Sequence, residues 1–246
     1  MRVVLLGTGG YHPNDLRQTA CIMLPEVGLL LDAGTGLYRA NRYLQTPSLD
    51  IFLTHAHLDH IVGLTYLLEL EHFHPLERIT VHGSYETLAA VEQHLFAEAV
   101  FPKQPRIKFQ PLGLEVGICG GGVVHYFPLE HPGGCLGYRI DWPDRNLAYV
   151  TDTVARPHAA YLRCLVGVDL LLHECYFPDS YAELAEQTGH SYTSAVAGLA
   201  RSANVGQLVL VHLNPAVAEK DPVHLPTAQS IFPAAKLGED YLEIEF

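Results

Sequence analysis

Residues 54–63 read Thr-His-Ala-His-Leu-Asp-His-Ile-Val-Gly, and this stretch places three imidazoles and one carboxylate within six positions. The apolar run before it, residues 50–54, predicts a short buried strand, and the apolar spacing over residues 60–71 predicts a helix. The four polar side chains therefore lie at a strand-to-helix corner. They belong to His55, His57, Asp59 and His60.

This corner has the composition of a metal site. In an extended turn His55 and His57 point to the same side, whereas Asp59 and His60 begin the helix and point elsewhere, so one segment can supply ligands to two neighbouring metal sites. Zinc binds neutral imidazole nitrogen and carboxylate oxygen. The alternative, a surface turn that is rich in histidine by chance, is disfavoured by the density of the motif.

The length and composition are those of an ordinary globular enzyme. The 246 residues, 48% apolar, predict one α/β domain over residues 1–246. No apolar stretch is long enough to span a membrane, and residues 1–6 run into Gly7 too early for a signal peptide, so we expect a cytoplasmic protein. Five scattered cysteines without a Cys-x-x-Cys pair indicate reduced thiols.

The net charge limits the partners that we expect. Fifteen Lys and Arg residues against 27 Asp and Glu residues give a formal charge of −12, which disfavours a large nucleic-acid footprint. A small phosphate substrate remains compatible with this charge, because bound metal ions dominate the field near a site.

The hydrophobic pattern predicts two series of strands, each followed by helices, and hence two sheets packed face to face with helices outside. We interpret the glycine-rich residues 113–122 as an ordinary turn rather than as a join between two halves. The predicted strands cover residues 2–6, 20–24, 28–33, 50–54, 78–82, 106–110, 123–127, 136–141, 146–151, 168–173, 207–212 and 241–246. The predicted helices cover residues 60–71, 84–97, 155–164, 179–188, 192–203 and 226–232.

Three further polar residues lie near the ends of predicted strands. His131 follows the strand over 123–127 and precedes two glycines, while Asp152 and His212 end apolar runs. A charge or an imidazole at the tip of a buried strand costs desolvation energy unless it is paired or bound to a metal. Together with the corner at residues 55–60, these three become candidate ligands.

The chain resembles the metallo-β-lactamase superfamily, and specifically its ribonuclease Z-like phosphodiesterase branch. The resemblance rests on the corner motif with the later His131, Asp152 and His212. It is strengthened by Leu-Gly-Thr-Gly-Gly at 6–10, Leu-Leu-His-Glu-Cys at 171–175 and Gly-His-Ser at 189–191. It covers essentially the whole chain.

The resemblance implies a four-layer αββα sandwich with two divalent metal ions, zinc in the first place and manganese or iron as alternatives. It implies phosphodiester hydrolysis by a hydroxide shared between the metals. His55, His57 and His131 would hold one metal and Asp59, His60 and His212 the other, with Asp152 bridging. The catalytic residues that it implies are Asp59, His190 and Glu174.

In this assignment His190 acts on the phosphate as an electrophilic stabiliser or a general acid, and Glu174 orients it. Arg17 and Arg139 are candidate phosphate contacts, with a structural role as the alternative. A homodimer is typical of the resembling family.

Two features depart from the tRNA-processing members. Their inserted tRNA-clamping arm has no counterpart here, because only 20 residues separate His131 from Asp152. The tRNA enzymes usually have another residue at the position of Leu58, and the run His-x-His-Leu-Asp-His-x-x-Gly-Leu at 55–64 instead resembles the signature of class II cyclic-nucleotide phosphodiesterases. We therefore expect a small or exposed phosphodiester as substrate: a cyclic nucleotide, a cyclic sugar phosphate or a nucleic-acid 3′ end. The alternatives are an ester, thioester or lactone hydrolase, a tRNA 3′-end endonuclease, and a metal-bound scaffold without turnover.

Overall fold

The computed structural model describes residues 1–217 and 219–246, which form two compact units. Unit 1 comprises Met1–Gly120 and Glu239–Glu245, and unit 2 comprises Gly121–Gly238 and Phe246. The division falls inside residues 113–122, the stretch that the sequence analysis interprets as an ordinary turn. Gly120 and Gly121 both have left-handed backbone angles, φ 75° and 76°, which glycine adopts without the steric cost of a side chain.

Unit 1 contains a mixed seven-stranded sheet. Its strands are β1 (Arg2–Gly7), β2 (Cys21–Leu24), β3 (Leu29–Leu31), β4 (Ser48–Phe52), β5 (Arg78–Gly83), β6 (Ile107–Pro111) and β14 (Glu243–Glu245). Their order across the sheet is β14-β1-β2-β3-β4-β5-β6. The pairs from β14 to β3 are antiparallel, and those from β3 to β6 are parallel. The chain also forms the short strand β7 (Val116–Gly117).

The helices of unit 1 pack on one face of its sheet, where alternate residues of β4 and β5 meet the apolar side of the helices. The helices are α1 (Leu58–Ile61), α2 (Leu67–Phe73) and α3 (Tyr85–Ala90). A π-helical turn continues α3 at Val91–Leu95, and 3₁₀ helices lie at Pro25–Val27, Thr35–Arg42, Val62–Tyr66 and Cys119–Gly121.

The predicted helix over 60–71 is therefore interrupted by a 3₁₀ segment. Gly63 lies in that segment, where an added Cβ would be only 2.2 Å from the Gly34 carbonyl oxygen. The close backbone approach at Gly63 explains why the helix tightens there.

Unit 2 has strands β8 (Val123–Leu129), β9 (Cys135–Trp142), β10 (Arg145–Val150), β11 (Leu170–Glu174), β12 (Gln207–Val211) and β13 (Ala235–Leu237). They are adjacent in the order β13-β12-β11-β10-β9-β8. Strands β8 to β10 pair antiparallel, and β10 to β13 pair parallel. The carboxyl ends of β10, β11 and β12 therefore meet at one edge of the sheet.

The helices of unit 2 are α4 (Leu162–Leu165), α5 (Ala182–Thr188), α6 (Thr193–Ser202) and α7 (Leu225–Ile231), with a 3₁₀ turn at Asp179–Tyr181. The helix predicted over 155–164 is wrong for most of its length, because turns precede α4. Pro157 disfavours helix at Arg156, since the residue before a proline avoids the helical conformation. In the part of the chain that the structure describes, no helix is long and apolar enough to cross a membrane.

Candidate metal centre

The first cluster of candidate ligands lies in unit 1, at the corner between β4 and α1. The ring centroid of His55 is 4.4 Å from that of His57 and 4.2 Å from that of His60. His60 Nε2 lies 3.3 Å from Asp59 Oδ2. His55 and His60 are buried, while His57 is exposed. The predicted strand-to-helix corner is confirmed, and its four side chains lie together.

Asp32, which the sequence analysis missed, supports this cluster. It is fully buried. Its carboxylate lies 2.8 Å from His60 Nδ1 and accepts hydrogen bonds from the Thr54 amide at 2.8 Å and the Thr54 hydroxyl at 3.0 Å. A proton on His60 Nδ1, donated to Asp32, leaves Nε2 with the lone pair that a metal requires. The sequence contains the pattern that would have identified it, because Asp32 follows the apolar run Leu29–Leu31 as Asp152 follows β10.

The second cluster lies in unit 2 and is assembled from strand ends. Asp152 Oδ2 is 3.6 Å from His131 Nε2, and Asp152 Oδ1 is 3.2 Å from His212 Nε2. These side chains are 2–4% exposed. Asp152, His190 and His212 each offer a ligand atom within 4.8 Å of the others. These carboxylate and imidazole donors are those that zinc and related divalent metals bind, so the residues fit such an ion.

Three residues of these clusters have a strained backbone. Asp32, Asp152 and His212 have φ angles of 57°, 43° and 53°. Left-handed angles are uncommon for residues other than glycine and cost energy. Their recurrence at three strand ends indicates that the surrounding structure holds these side chains in required directions.

His190 is held from two directions within unit 2. Its Nδ1 lies 3.2 Å from Oε1 of Glu174, which ends β11 and is fully buried. The ring of Tyr176 stacks on the His190 imidazole at 4.5 Å and 16°. Glu174 also accepts hydrogen bonds from the amides of Thr153 at 2.6 Å and Ser191 at 3.3 Å. Sequence reasoning missed Tyr176, whose position after His-Glu-Cys carries no signal of its own.

Two neighbours of Glu174 are buried and uncharged. Burial lowers the pKa of His173, which lies between the Tyr161 hydroxyl at 3.1 Å and the Glu174 carbonyl oxygen at 2.7 Å. Burial raises the pKa of the Cys175 thiol, which favours its protonated form. At the end of β11, the carboxylate of Glu174 therefore lies between two uncharged side chains in the sequence.

The two candidate phosphate-binding arginines differ. Arg139 hydrogen-bonds to Asp141 and to the carbonyl oxygens of Cys164 and Val166, which is the structural role. Arg17 is buried in the loop after β1, and its amide donates to Asn14 Oδ1 at 2.8 Å. A substrate contact by Arg17 stays a prediction.

Comparison with known proteins decides the family. The model of the β-lactamase superfamily domain matches residues 28–213, most of the chain. The chain belongs to the metallo-β-lactamase superfamily. Proteins similar to it include ribonuclease BN of Escherichia coli O1:K1 / APEC, 28% identical over 98% of both proteins. Ribonuclease Z of Methanosarcina acetivorans is 26% identical, over 100% of this chain and 98% of the relative. The ribonuclease Z-like branch is therefore confirmed.

The fold is that of the superfamily as well. The crystal structure of the metallo-β-lactamase fold protein YhfI from Bacillus subtilis matches with a TM-score of 0.81, at 19% identity and over 99% of both chains. The predicted fold class is confirmed. The alignment with ribonuclease BN spans 305 positions, whereas this chain has 246 residues. About 60 residues of ribonuclease BN in this alignment therefore have no equivalent in this chain.

Proposed function

We propose that this member of the metallo-β-lactamase superfamily is a metal-dependent phosphodiesterase. The observation that carries the proposal is His190, which is buttressed by Glu174 and Tyr176 and whose ring nitrogen lies within 4.8 Å of ligand atoms of Asp152 and His212. An imidazole so placed serves a leaving group that needs a proton, as the alkoxide of a phosphodiester does.

The proposed ligand set is the one that the resemblance implies, with Asp152 shared between two ions. Two divalent ions, zinc by our expectation, would activate water and neutralise charge on the phosphate when bound. The ligands proposed are His55, His57, Asp59, His60, His131, Asp152 and His212.

The protein's own residues supply orientation and a proton. With its Nδ1 proton directed to Glu174, His190 can present Nε2 to the leaving oxygen and donate from it when protonated. Asp59 contributes as a ligand and is held in turn by the amide of Tyr11, at 2.7 Å from its Oδ2. Tyr176 fixes the plane of the His190 ring.

The proposed substrate is a small or exposed phosphodiester. The formal charge of −12 disfavours binding to a long polyanion. The positions that ribonuclease BN has in addition also favour a smaller substrate, although a nucleic-acid 3′ end fits both observations. A cytoplasmic location and a homodimer stay predictions.

The test is hydrolysis of bis(p-nitrophenyl) phosphate by purified protein, with the bound metal quantified in the same sample. We expect turnover that depends on about two metal ions. The His190→Ala variant should retain fold and metal but lose roughly 10²–10⁴-fold in rate. His125→Ala, a histidine on β8 outside the cluster, is the matched control and should leave the rate unchanged.

The same preparation should be offered p-nitrophenyl acetate. Fully metallated protein that cleaves the acetate in a His190-dependent manner but not the phosphodiester would contradict the proposal and favour carboxylic ester chemistry. An unchanged phosphodiester rate in His190→Ala would contradict the role assigned to His190 but not the phosphodiesterase activity itself.

A further inference from the structure

Tyr11 is an exposed aromatic residue with a strained backbone in the loop after β1. Its side chain is 73% exposed and its φ is 59°. A bulky residue at positive φ is a genuine outlier, because glycine adopts this conformation at much lower cost. Glycines occupy positions 9 and 10 immediately before it. The tyrosine therefore stands where the backbone favours glycine.

The main chain of Tyr11 is tied to the corner cluster. Its amide donates to Asp59 Oδ2 at 2.7 Å, so the origin of the side chain is fixed beside a proposed metal ligand. Two neighbours of that ligand in sequence, His57 and Leu58, are exposed, and Leu58 is 69% exposed. The solvent-facing side of the corner thus carries the large aliphatic side chain of Leu58, and the exposed Tyr11 ring starts from a main chain that is fixed beside it.

Stability does not explain this arrangement. The Tyr11 ring packs against His12 in an edge-to-face contact, with centroids 5.0 Å apart, and most of its surface stays in water. Burial of apolar surface is what stabilises a fold, and a ring with this exposure contributes little of it. Backbone strain that is retained for an exposed side chain beside a reactive site points to ligand contact.

We propose that Tyr11 is the stacking platform for the nucleobase of a nucleotide substrate. This inference rests on the proposed function, because it assumes that the phosphate group of the nucleotide binds at the corner of residues 55–60. A nucleobase is flat and uncharged, so a neutral ring can bind it without adding positive charge to a chain of net charge −12. Stacking of one base on an aromatic side chain strengthens binding roughly 5- to 150-fold.

The test measures binding, so that it does not depend on turnover. Calorimetry of the metal-loaded protein gives dissociation constants for adenosine 5′-monophosphate and for ribose 5-phosphate, which has an anomeric hydroxyl in place of the base. We expect the nucleotide to bind about tenfold more tightly. Tyr11→Gly should abolish that advantage, because glycine suits the left-handed backbone and keeps the amide that holds Asp59. Tyr11→Phe should preserve it.

Tyr85→Ala is the matched control, because Tyr85 is also 73% exposed and begins α3 in the same unit. It should leave the base advantage intact. Equal binding of the two ligands by the wild type, or an advantage that survives Tyr11→Gly, would overturn the inference, as would failure to bind the nucleotide. A base advantage that depends on Tyr11 in a protein that hydrolyses no phosphodiester would support the inference and reject the proposed function.

Discussion

The two ligand clusters are built in opposite ways. The unit 1 cluster comes from one corner of six residues between β4 and α1, whereas the unit 2 cluster gathers His131, Asp152, His190 and His212 from four separate segments. Each cluster has one fully buried supporting carboxylate. Asp32 lies against the proposed ligand His60, whereas Glu174 lies against His190, which is not in the proposed ligand set.

This difference indicates which supporting carboxylate acts on metal binding and which acts on the rate of the reaction. A carboxylate that orients a ligand acts on metal affinity, while one that orients a proton donor acts on rate. If the proposed function holds, unit 1 contributes chiefly to metal retention, and unit 2 contributes to metal retention and proton transfer. The following variants break or sharpen that contrast.

Replacement of Asp152 with Ala should have the largest effect. It removes the only ligand proposed to be shared, so metal content should fall from about two equivalents to one or fewer. Phosphodiester hydrolysis should fall by more than about 10⁴-fold, beyond the range for a single acid–base group. Elemental analysis of the purified variant checks this, with Asp144→Ala on the β9–β10 turn as control. Two retained equivalents would refute the bridging role.

The supporting carboxylates should give a crossed pattern. Asp32→Asn should weaken metal affinity by roughly 10- to 100-fold, and its rate should recover at saturating metal. Glu174→Gln should bind metal normally and lose a similar factor in kcat that added metal does not restore. Metal titrations with activity as readout compare the two. The contrast between the units fails if both variants respond alike to metal.

Tyr176 should contribute a smaller effect. Loss of the ring in Tyr176→Ala removes the stacking that fixes the His190 plane, so kcat should fall by about tenfold or less while KM changes little. Tyr176→Phe should restore the rate, because the ring face and not the hydroxyl makes the contact. Steady-state kinetics decide this, with Tyr126→Ala on β8 of the same unit as control. A Phe variant as slow as the Ala variant would assign the effect to the hydroxyl.

Buried titratable groups also distinguish the units. In unit 1 burial raises the pKa of Asp50, but hydrogen bonds from His82 and Arg78 outweigh burial and lower it to about 2. In unit 2 burial lowers the pKa of His173. Asp50 is thus stabilised as an anion and His173 as a neutral ring. The unfolded chain gains a proton at His173 below about pH 6.5, whereas Asp50 matters only in stronger acid.

Asp50→Asn should have the smallest effect on catalysis, because its effect is confined to stability. Because the folded pKa is lowered, the carboxylate stabilises the protein above about pH 4, and this contribution disappears as the pH falls toward 2. The variant should lose about 2 kcal/mol of unfolding free energy at pH 7. Denaturant unfolding at pH 7, 4 and 3 should show the two proteins converging as the pH falls. A constant difference across these pH values would contradict the assignment.

Much of the fold could be predicted from the sequence, because apolar periodicity marks strands such as β4, β5 and β12 directly. The short strands β7 and β13 were missed, since two or three residues carry no period. The predicted helix over 155–164 was wrong because turns occupy most of this stretch before α4, which apolar spacing does not reveal. The position of Gly63 shows a further limit, because close backbone approach is a tertiary property.

The two clusters of the candidate site also differ in how far they could be predicted from the sequence. The unit 1 corner could be predicted from spacing because its residues are neighbours in the chain. In unit 2, spacing indicated strand ends, and the resemblance supplied the assignment of His131, Asp152, His190 and His212. Asp32 also follows a predicted buried strand, so the same strand-end rule would have found it. Neither Tyr176 nor the backbone angle of Tyr11 has a signature in the sequence.

The contiguity of the corner at residues 55–60 has a consequence for metallation. Because His55, His57, Asp59 and His60 are neighbours in the chain, these proposed ligands would be available to an ion even in an unfolded or nascent polypeptide, whereas the dispersed residues of unit 2 acquire their geometry only on folding. Binding to the unfolded chain reduces the stabilisation that a metal confers. Metal should therefore load early at the corner, and thermal shifts will understate its affinity for the native protein.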